Sequence, residues 1–252
     1  MTQRALALIS QKGGVGKTTL ALHLAFRAAE TRSVLLVDMD TQGNATSTLL
    51  GDAGLFYLHT RGGASDLFEK PLSEVVPIAT RHPRIGLLWG HQHLDDVKPA
   101  LADVVRLRPA LASLPYDVVI FDTPPALGPR QIAPLLLAQT AVIPFEPNAY
   151  AVQGLALTLP TIEQARRSNP GLGFSIVINK YQRRSKSQAA YIADLARTAG
   201  PSGPRILEPH LTLRVAVQDA LAGGVPVWAF RAADRSLRRA WQDLCGALLG
   251  TS

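Results

Sequence analysis

Residues 10–19 read Ser-Gln-Lys-Gly-Gly-Val-Gly-Lys-Thr-Thr, between an apolar run at 5–9 and a helix-like run at 20–29. Strand, glycine-rich loop and helix together form the setting in which such a run cradles phosphate. The backbone N–H groups of Gly13, Gly14, Val15 and Gly16 would turn inward around an anion, and the following helix adds the partial positive charge of its N-terminal end. Lys17 is placed to reach the β- and γ-phosphates of a nucleotide and the Thr18 hydroxyl to ligate Mg²⁺, with Thr19 beside them as a further nucleotide contact. A glycine-rich turn that merely closed a βα unit would not need Gly-Lys-Thr here.

Two further runs end in carboxylates. Val34-Leu-Leu-Val-Asp38-Met-Asp40 is an apolar strand delivering two aspartates, one residue apart, at its C-terminal end. Open α/β sheets bind ligands at that end of their strands. Alternation along an extended chain points Asp38 and Asp40 to the same side. One can brace a metal shell while the other orients and deprotonates water; the plainer reading is that they cap a following helix. Val118-Val-Ile-Phe-Asp122-Thr-Pro-Pro125 has the form of a Walker B strand. Asp122 would hold Mg²⁺ through a water, since that ion keeps much of its hydration shell, and the prolines stop the strand sharply.

Lys12 stands at the start of the loop, where an ordinary nucleotide-binding loop requires no charge. Lys12-Gly-Gly-Val-Gly-Lys17-Thr-Thr resembles the deviant Walker A motif of the ParA/MinD group of dimeric ATPases. That resemblance implies that Lys12 crosses to the partner subunit's ATP and neutralises phosphate charge there. The continuation Asp38-Met-Asp40-Thr-Gln-Gly-Asn-Ala-Thr46 resembles the ParA-type sequence, with Thr41 where proline is usual, and the run after Asp122 matches the family pattern through Gly128. By resemblance Lys12, Lys17 and Asp40 are catalytic, Asp40 positions the attacking water, and Asp38 supports the Mg²⁺ environment with Thr18 and Asp122. ATP and Mg²⁺ are the implied cofactors, and hydrolysis of ATP to ADP and phosphate is the implied reaction. Asn179, after Val177-Ile, matches a position where an asparagine amide contacts adenine; its alternative is a turn former after a strand. The implied partners are a second copy of the chain, nonspecific double-stranded DNA and a ParB-type centromere-binding protein, in a cytoplasmic, nucleoid-associated setting.

Charge supports an anionic partner. The chain carries a formal +7, and all of it falls in residues 161–252, which hold 13 Lys and Arg against 6 Asp and Glu. Arg183, Arg184 and Lys186 form one basic cluster, Arg214 lies in a segment resembling the family's C-terminal region, and Arg231, Arg235, Arg238 and Arg239 form another cluster. Of these, Arg183, Arg184, Lys186 and Arg214 are the expected DNA contacts, made to phosphates and so independent of sequence. Solubility charge spread over helices is the competing explanation.

To hold these groups the chain must build a sheet. Short apolar runs at 5–9, 34–37, 85–89, 118–121, 141–144, 174–178 and 205–207 read as strands, and 18–30, 98–114, 154–167, 188–198 and 237–249 as helices. Nearly all-apolar strands alternating with helices predict an α/β fold, a mostly parallel twisted sheet flanked by helices, in a single P-loop NTPase domain over 1–252. Segment 51–84 reads as surface helix and loop, and 200–204 as a turn. The phosphate loop begins at the first strand, so no upstream helix-turn-helix is expected and any DNA binding falls to the ATPase domain itself. No cleavable signal and no 18-residue apolar span is read. One cysteine, Cys245, excludes an internal disulfide, and with it the shared cluster of nitrogenase-iron-protein relatives.

Two alternatives stay open beside partition. The helix at 237–249 carries Leu237, Trp241, Leu244 and Leu248 at helical spacing, opposite Arg238 and Arg239, which would suit a MinD-like membrane-surface helix; docking on the core is the commoner use of such a stripe. A relative that positions a protein cargo would share the same motifs, and a metabolic P-loop enzyme of the synthetase type would share the phosphate loop. The expectation is that the chain does not bind membranes.

Overall fold

A computed structural model describes residues 3–55, 63–126, 128–199 and 205–251. Its centre is an eight-stranded sheet in the order β3-β4-β2-β5-β1-β6-β7-β8. The strands are β1 (Arg4–Leu8), β2 (Val34–Asp38), β3 (Ile78–Ala79), β4 (Ile85–Leu88), β5 (Val118–Asp122), β6 (Thr140–Phe145), β7 (Gly173–Ile178) and β8 (Arg205–Leu207). Every pairing is parallel except that of β3 with β4 at the edge.

Period-two alternation sorts each strand between two buried layers. Ala5, Ala7, Leu35, Val37, Val119 and Phe121 face one side, and Leu6, Leu8, Val34, Leu36, Val118 and Ile120 the other. The first layer is covered by α3 (Asp66–Glu69), α4 (Leu101–Ser113), α5 (Pro129–Leu137), α6 (Ala151–Arg166) and α7 (Lys186–Ala199). The second is covered by α1 (Lys17–Ala29), α2 (Asn44–Leu55), α8 (Val215–Ala222) and α9 (Arg235–Leu249). Both faces are therefore buried, which is why these strands read as unbroken apolar runs.

The α9 helix starts on the side chain of Asp234, which accepts the Leu237 N–H at 2.8 Å, a cap contributing about 1 kcal/mol. Its stripe of Leu237, Trp241, Leu244 and Leu248 is buried against α1. The apolar face that could have lain on a membrane is therefore part of the core. Among the described residues no helix is long and apolar enough to cross a bilayer.

Segment 51–84 is less superficial than expected. Its described part contains α3 and β3, and it sends Ala64, Leu67, Leu72 and Val75 into the core. The turn expected at 200–204 lies outside the described residues.

Candidate functional site

Two aspartates meet where β2 and β5 end. The strands pair in register, with Asp38 opposite Asp122, and β5 is also paired to β1, the strand that runs into the phosphate loop. Parallel pairing thus gathers the loop and both carboxylates at the C-terminal edge of the sheet, where such folds hold ligands.

The loop leads directly into α1. Gly14 and Gly16 have φ of 72° and 98°, the left-handed region where a side chain is strained, and a Cβ on Gly16 would collide with Asn179 Nδ2. A cleft of about 380 Å³ opens over this turn. Gly13, Gly14, Gly16, Lys17, Thr18, Thr19, Asp40 and Asn179 all line it, so most of the expected nucleotide contacts come together. Lys17 is buried, and its Nζ lies 3.4 Å from the Lys12 carbonyl. Burial lowers its pKa, while the charges of Asp122 and Asp40 work against that shift.

The aspartates divide the work differently from the expectation that Asp38 and Asp40 share one side. Asp38 is fully buried and saturated by its own loop: Oδ1 accepts the Asp40 N–H at 3.1 Å, and Oδ2 accepts the Thr46 N–H at 2.9 Å and the Thr46 hydroxyl at 2.7 Å. It braces the turn that presents Asp40, and neither it nor Asp122 lines the cleft directly. Asp40 lines it, with Oδ1 accepting the Gln42 N–H at 3.0 Å.

Asp122 is the opposite case, for both of its carboxylate oxygens are buried without a hydrogen-bond partner. Burial raises its pKa most, and the neighbouring Asp38 raises it further. The Thr18 hydroxyl and Lys17 pull it back. Unpaired buried carboxylate oxygens beside a second acid and a threonine hydroxyl suit a divalent cation. Among the described residues no cluster of three or more His, Cys, Asp or Glu side chains has metal-holding spacing. Mg²⁺ takes one or two carboxylates together with waters and phosphates rather than an all-protein cage.

The Lys12 ammonium has a different partner from that of Lys17. Lys12 is absent from the cleft lining, and its Nζ donates to Asn148 Oδ1 at 3.0 Å beside Gly154 of α6. Val15 is buried under the loop.

Asn44, from within the second aspartate motif, also lines the cleft, together with Pro125, Lys180, Thr212, Leu213, Arg214, Val217, Gln218 and Trp241. Asn179 Nδ2 donates to the Val15 carbonyl at 2.8 Å, so part of the amide expected to read a base also holds the loop. His23, fully buried in α1, has Nδ1 2.7 Å from the Thr19 carbonyl and Nε2 3.1 Å from the Val227 nitrogen. The Val227 N–H donates to Nε2, which makes Nδ1 the protonated nitrogen. Burial drops its pKa to about 4, so it is a neutral peg tying the phosphate-loop helix to the segment between α8 and α9.

The expected DNA contacts are all exposed. Arg183, Arg184 and Lys186 follow β7. Arg214 is also exposed, but it lines the nucleotide cleft as well as a second cleft of about 490 Å³ that it shares with Arg183. It cannot be treated as remote from the loop, a position that no linear spacing reveals.

The fold and loop define a P-loop NTPase. A family model described as AAA domain matches residues 3–174. Protein IncC of Escherichia coli is 32% identical over 248 residues, covering 91% of this chain and 64% of that protein, so the chain spans just under two thirds of its length. The chromosome-partitioning ATPase Soj of Thermus thermophilus is 37% identical over 195 residues, 72% of this chain and 71% of that one. The chromosome partitioning protein ParA of Caulobacter vibrioides is 30% identical over 237 residues, 89% and 86%. Among solved structures, an McdA–ATP complex from Cyanothece superposes with a TM-score of 0.81 at 22% identity, covering 100% of this chain and 98% of that one; it speaks for the fold. A cobyrinic acid a,c-diamide synthase of Mycobacterium smegmatis, bound to an ATP analogue and magnesium, gives 0.77 at 25% identity, covering 98% and 94%. The chain belongs to the family of ParA-type partition ATPases.

Proposed function

We propose that this chain is an ATPase that dimerises on Mg–ATP, binds duplex DNA without sequence preference in that state, and lets go after hydrolysis. The observation that carries the reading is that the ammonium groups of the loop's two lysines have different partners. Lys17 is buried in the cleft, whereas Lys12 rests at its margin on Asn148. A lysine serving only its own nucleotide gains nothing from standing outside the cleft; one serving a facing subunit does.

When bound, Mg–ATP supplies the reactive γ-phosphate and a divalent charge. Lys17 binds the β- and γ-phosphates, and the Thr18 hydroxyl with Asp122 holds the cation. Asp40, kept in place by the Asp38–Thr46 brace, orients the attacking water and accepts its proton. Asn179 lines the base end, and Lys12 leaves Asn148 to reach across. Because these cross-subunit contacts exist only in the dimer, nucleotide shifts the population toward it.

The basic cluster after β7 makes the DNA face, in keeping with the +7 of residues 161–252. Soj and ParA are named for chromosome partitioning, and by that kinship a ParB-type protein stimulates hydrolysis here in a cytoplasmic, nucleoid-associated setting. The likeness to a cobyrinic acid a,c-diamide synthase favours a synthetase-type enzyme as the second reading.

With a non-hydrolysable ATP analogue the protein is expected to bind unrelated duplexes with equal affinity, weakening steeply as salt rises. Alanine at Arg183, Arg184 and Lys186 together should lower affinity uniformly across sequences. The same variant should flatten the salt dependence, by about one unit of log–log slope for each phosphate no longer neutralised. Filter binding across a salt series decides. Anionic vesicles retaining the protein in ATP while DNA does not would overturn the reading.

A further inference from the structure

We propose that Lys180 is a positioning residue of the phosphate loop, fixing the Gly14–Val15 peptide so that the loop can receive nucleotide. The inference rests on the nucleotide reading above. Lys180 follows β7 and is the one non-glycine residue with positive φ, 55°, among those described. An L-residue is uncomfortable there, and lysine has no short polar side chain with which to relieve the strain locally, as asparagine does. The backbone therefore gains nothing from lysine at this position. Strain of this kind persists where surrounding contacts over-determine it, commonly at ligand sites.

Such contacts surround Lys180. Its Nζ donates to the Gly14 carbonyl at 2.6 Å and lies 3.7 Å from Glu146 Oε2, and the residue lines the cleft. Its neighbour Asn179 takes the next carbonyl of the loop, that of Val15. Consecutive side chains at the end of one strand thus hold consecutive peptide groups of the loop.

Packing does not do this job. Gly13 and Gly14 are exposed, and a Cβ built on either would meet no heavy atom within 4 Å. Gly14 also has the conformational freedom to flip its peptide. In a trans peptide the carbonyl and the following N–H point in opposite directions. Holding the Gly14 carbonyl therefore sets the direction of the Val15 N–H. Glu146 keeps the ammonium at its station, and the same β6–α6 connection carries Asn148, which holds Lys12.

The test compares Lys180→Asn, which tolerates the left-handed backbone but lacks the ammonium, with Lys180→Arg, which keeps a cation. Each is titrated with a fluorescent ADP and a fluorescent non-hydrolysable ATP analogue and melted without nucleotide. Lys180→Asn is expected to melt at or above the parent temperature and to bind both nucleotides about tenfold more weakly or worse, with Lys180→Arg recovering most of the loss. Parent-like affinity in Lys180→Asn overturns the proposal, as does a loss matched by an equal fall in melting temperature in both variants. Failure of the parent protein to bind either nucleotide would instead remove the nucleotide reading itself.

Discussion

Lys17→Ala is expected to lower affinity for ATP by about a hundredfold or more, and affinity for ADP by less, because ADP lacks the γ-phosphate. A charge-assisted hydrogen bond contributes about 1.5–3 kcal/mol, and Lys17 is placed to serve two phosphates, so its loss spans roughly two to four decades of affinity. The surroundings increase the effect. Lys17 is the cation that offsets Asp122 and Asp40 at the loop, and without it the phosphates enter a site of carboxylates. Lys12 does not substitute, because it does not line the cleft and its proposed contact is with the facing subunit's nucleotide. Equilibrium titration with a labelled nucleotide checks this, and near-parent affinity would show that the phosphates bind elsewhere.

Asp40→Ala separates binding from turnover. Single-turnover phosphate release should fall by about a hundredfold to ten-thousandfold, the range associated with a positioned general base, while Mg–ATP binding stays within a few-fold of the parent. The brace makes this separation possible. Asp38 holds the turn through the Asp40 N–H and Thr46, and those bonds survive truncation of the Asp40 side chain. Within the loop, the truncation removes only the hydrogen bond from the Gln42 N–H. Hydrolysis at the parent rate would make Asp40 a turn residue and move the water-orienting role to another group.

The carboxylate-bearing strands were legible because each is buried on both faces and ends in the residue that does chemistry. Other elements were hidden for specific reasons. Pro129 and Pro134 disguise α5: one opens the helix, where a missing N–H costs little, and the other sits within it and is tolerated by a fully packed run at Ala133–Leu137. The helix α2 begins inside the aspartate motif, at Asn44, and is interrupted at Gly51, whose φ is 66°, so neither end shows a clean helical period. The edge strand β3 has two residues, too few to show any period.

At the site, the sequence spacing placed Asp38 and Asp40 together, but burial separates them, because Asp38 is consumed by donors eight residues away at Thr46. Arg214 and Lys180 reach the cleft through strand order and through a left-handed turn, neither of which leaves a linear signature. The brace itself was within the motif, and the Thr46 hydroxyl was the available clue.

Nucleotide is proposed to join two copies of this chain through Lys12, and every later step depends on that junction. Multi-angle light scattering of the parent and Lys12→Ala, each with saturating non-hydrolysable ATP analogue and Mg²⁺, tests it most directly, with nucleotide binding measured in parallel. The parent should move from the mass of one 27.0 kDa chain to twice that mass, and Lys12→Ala should bind nucleotide yet remain a monomer. A parent that stays monomeric, or a Lys12→Ala variant that dimerises as the parent does, would contradict this mechanism and leave an ordinary P-loop enzyme in its place.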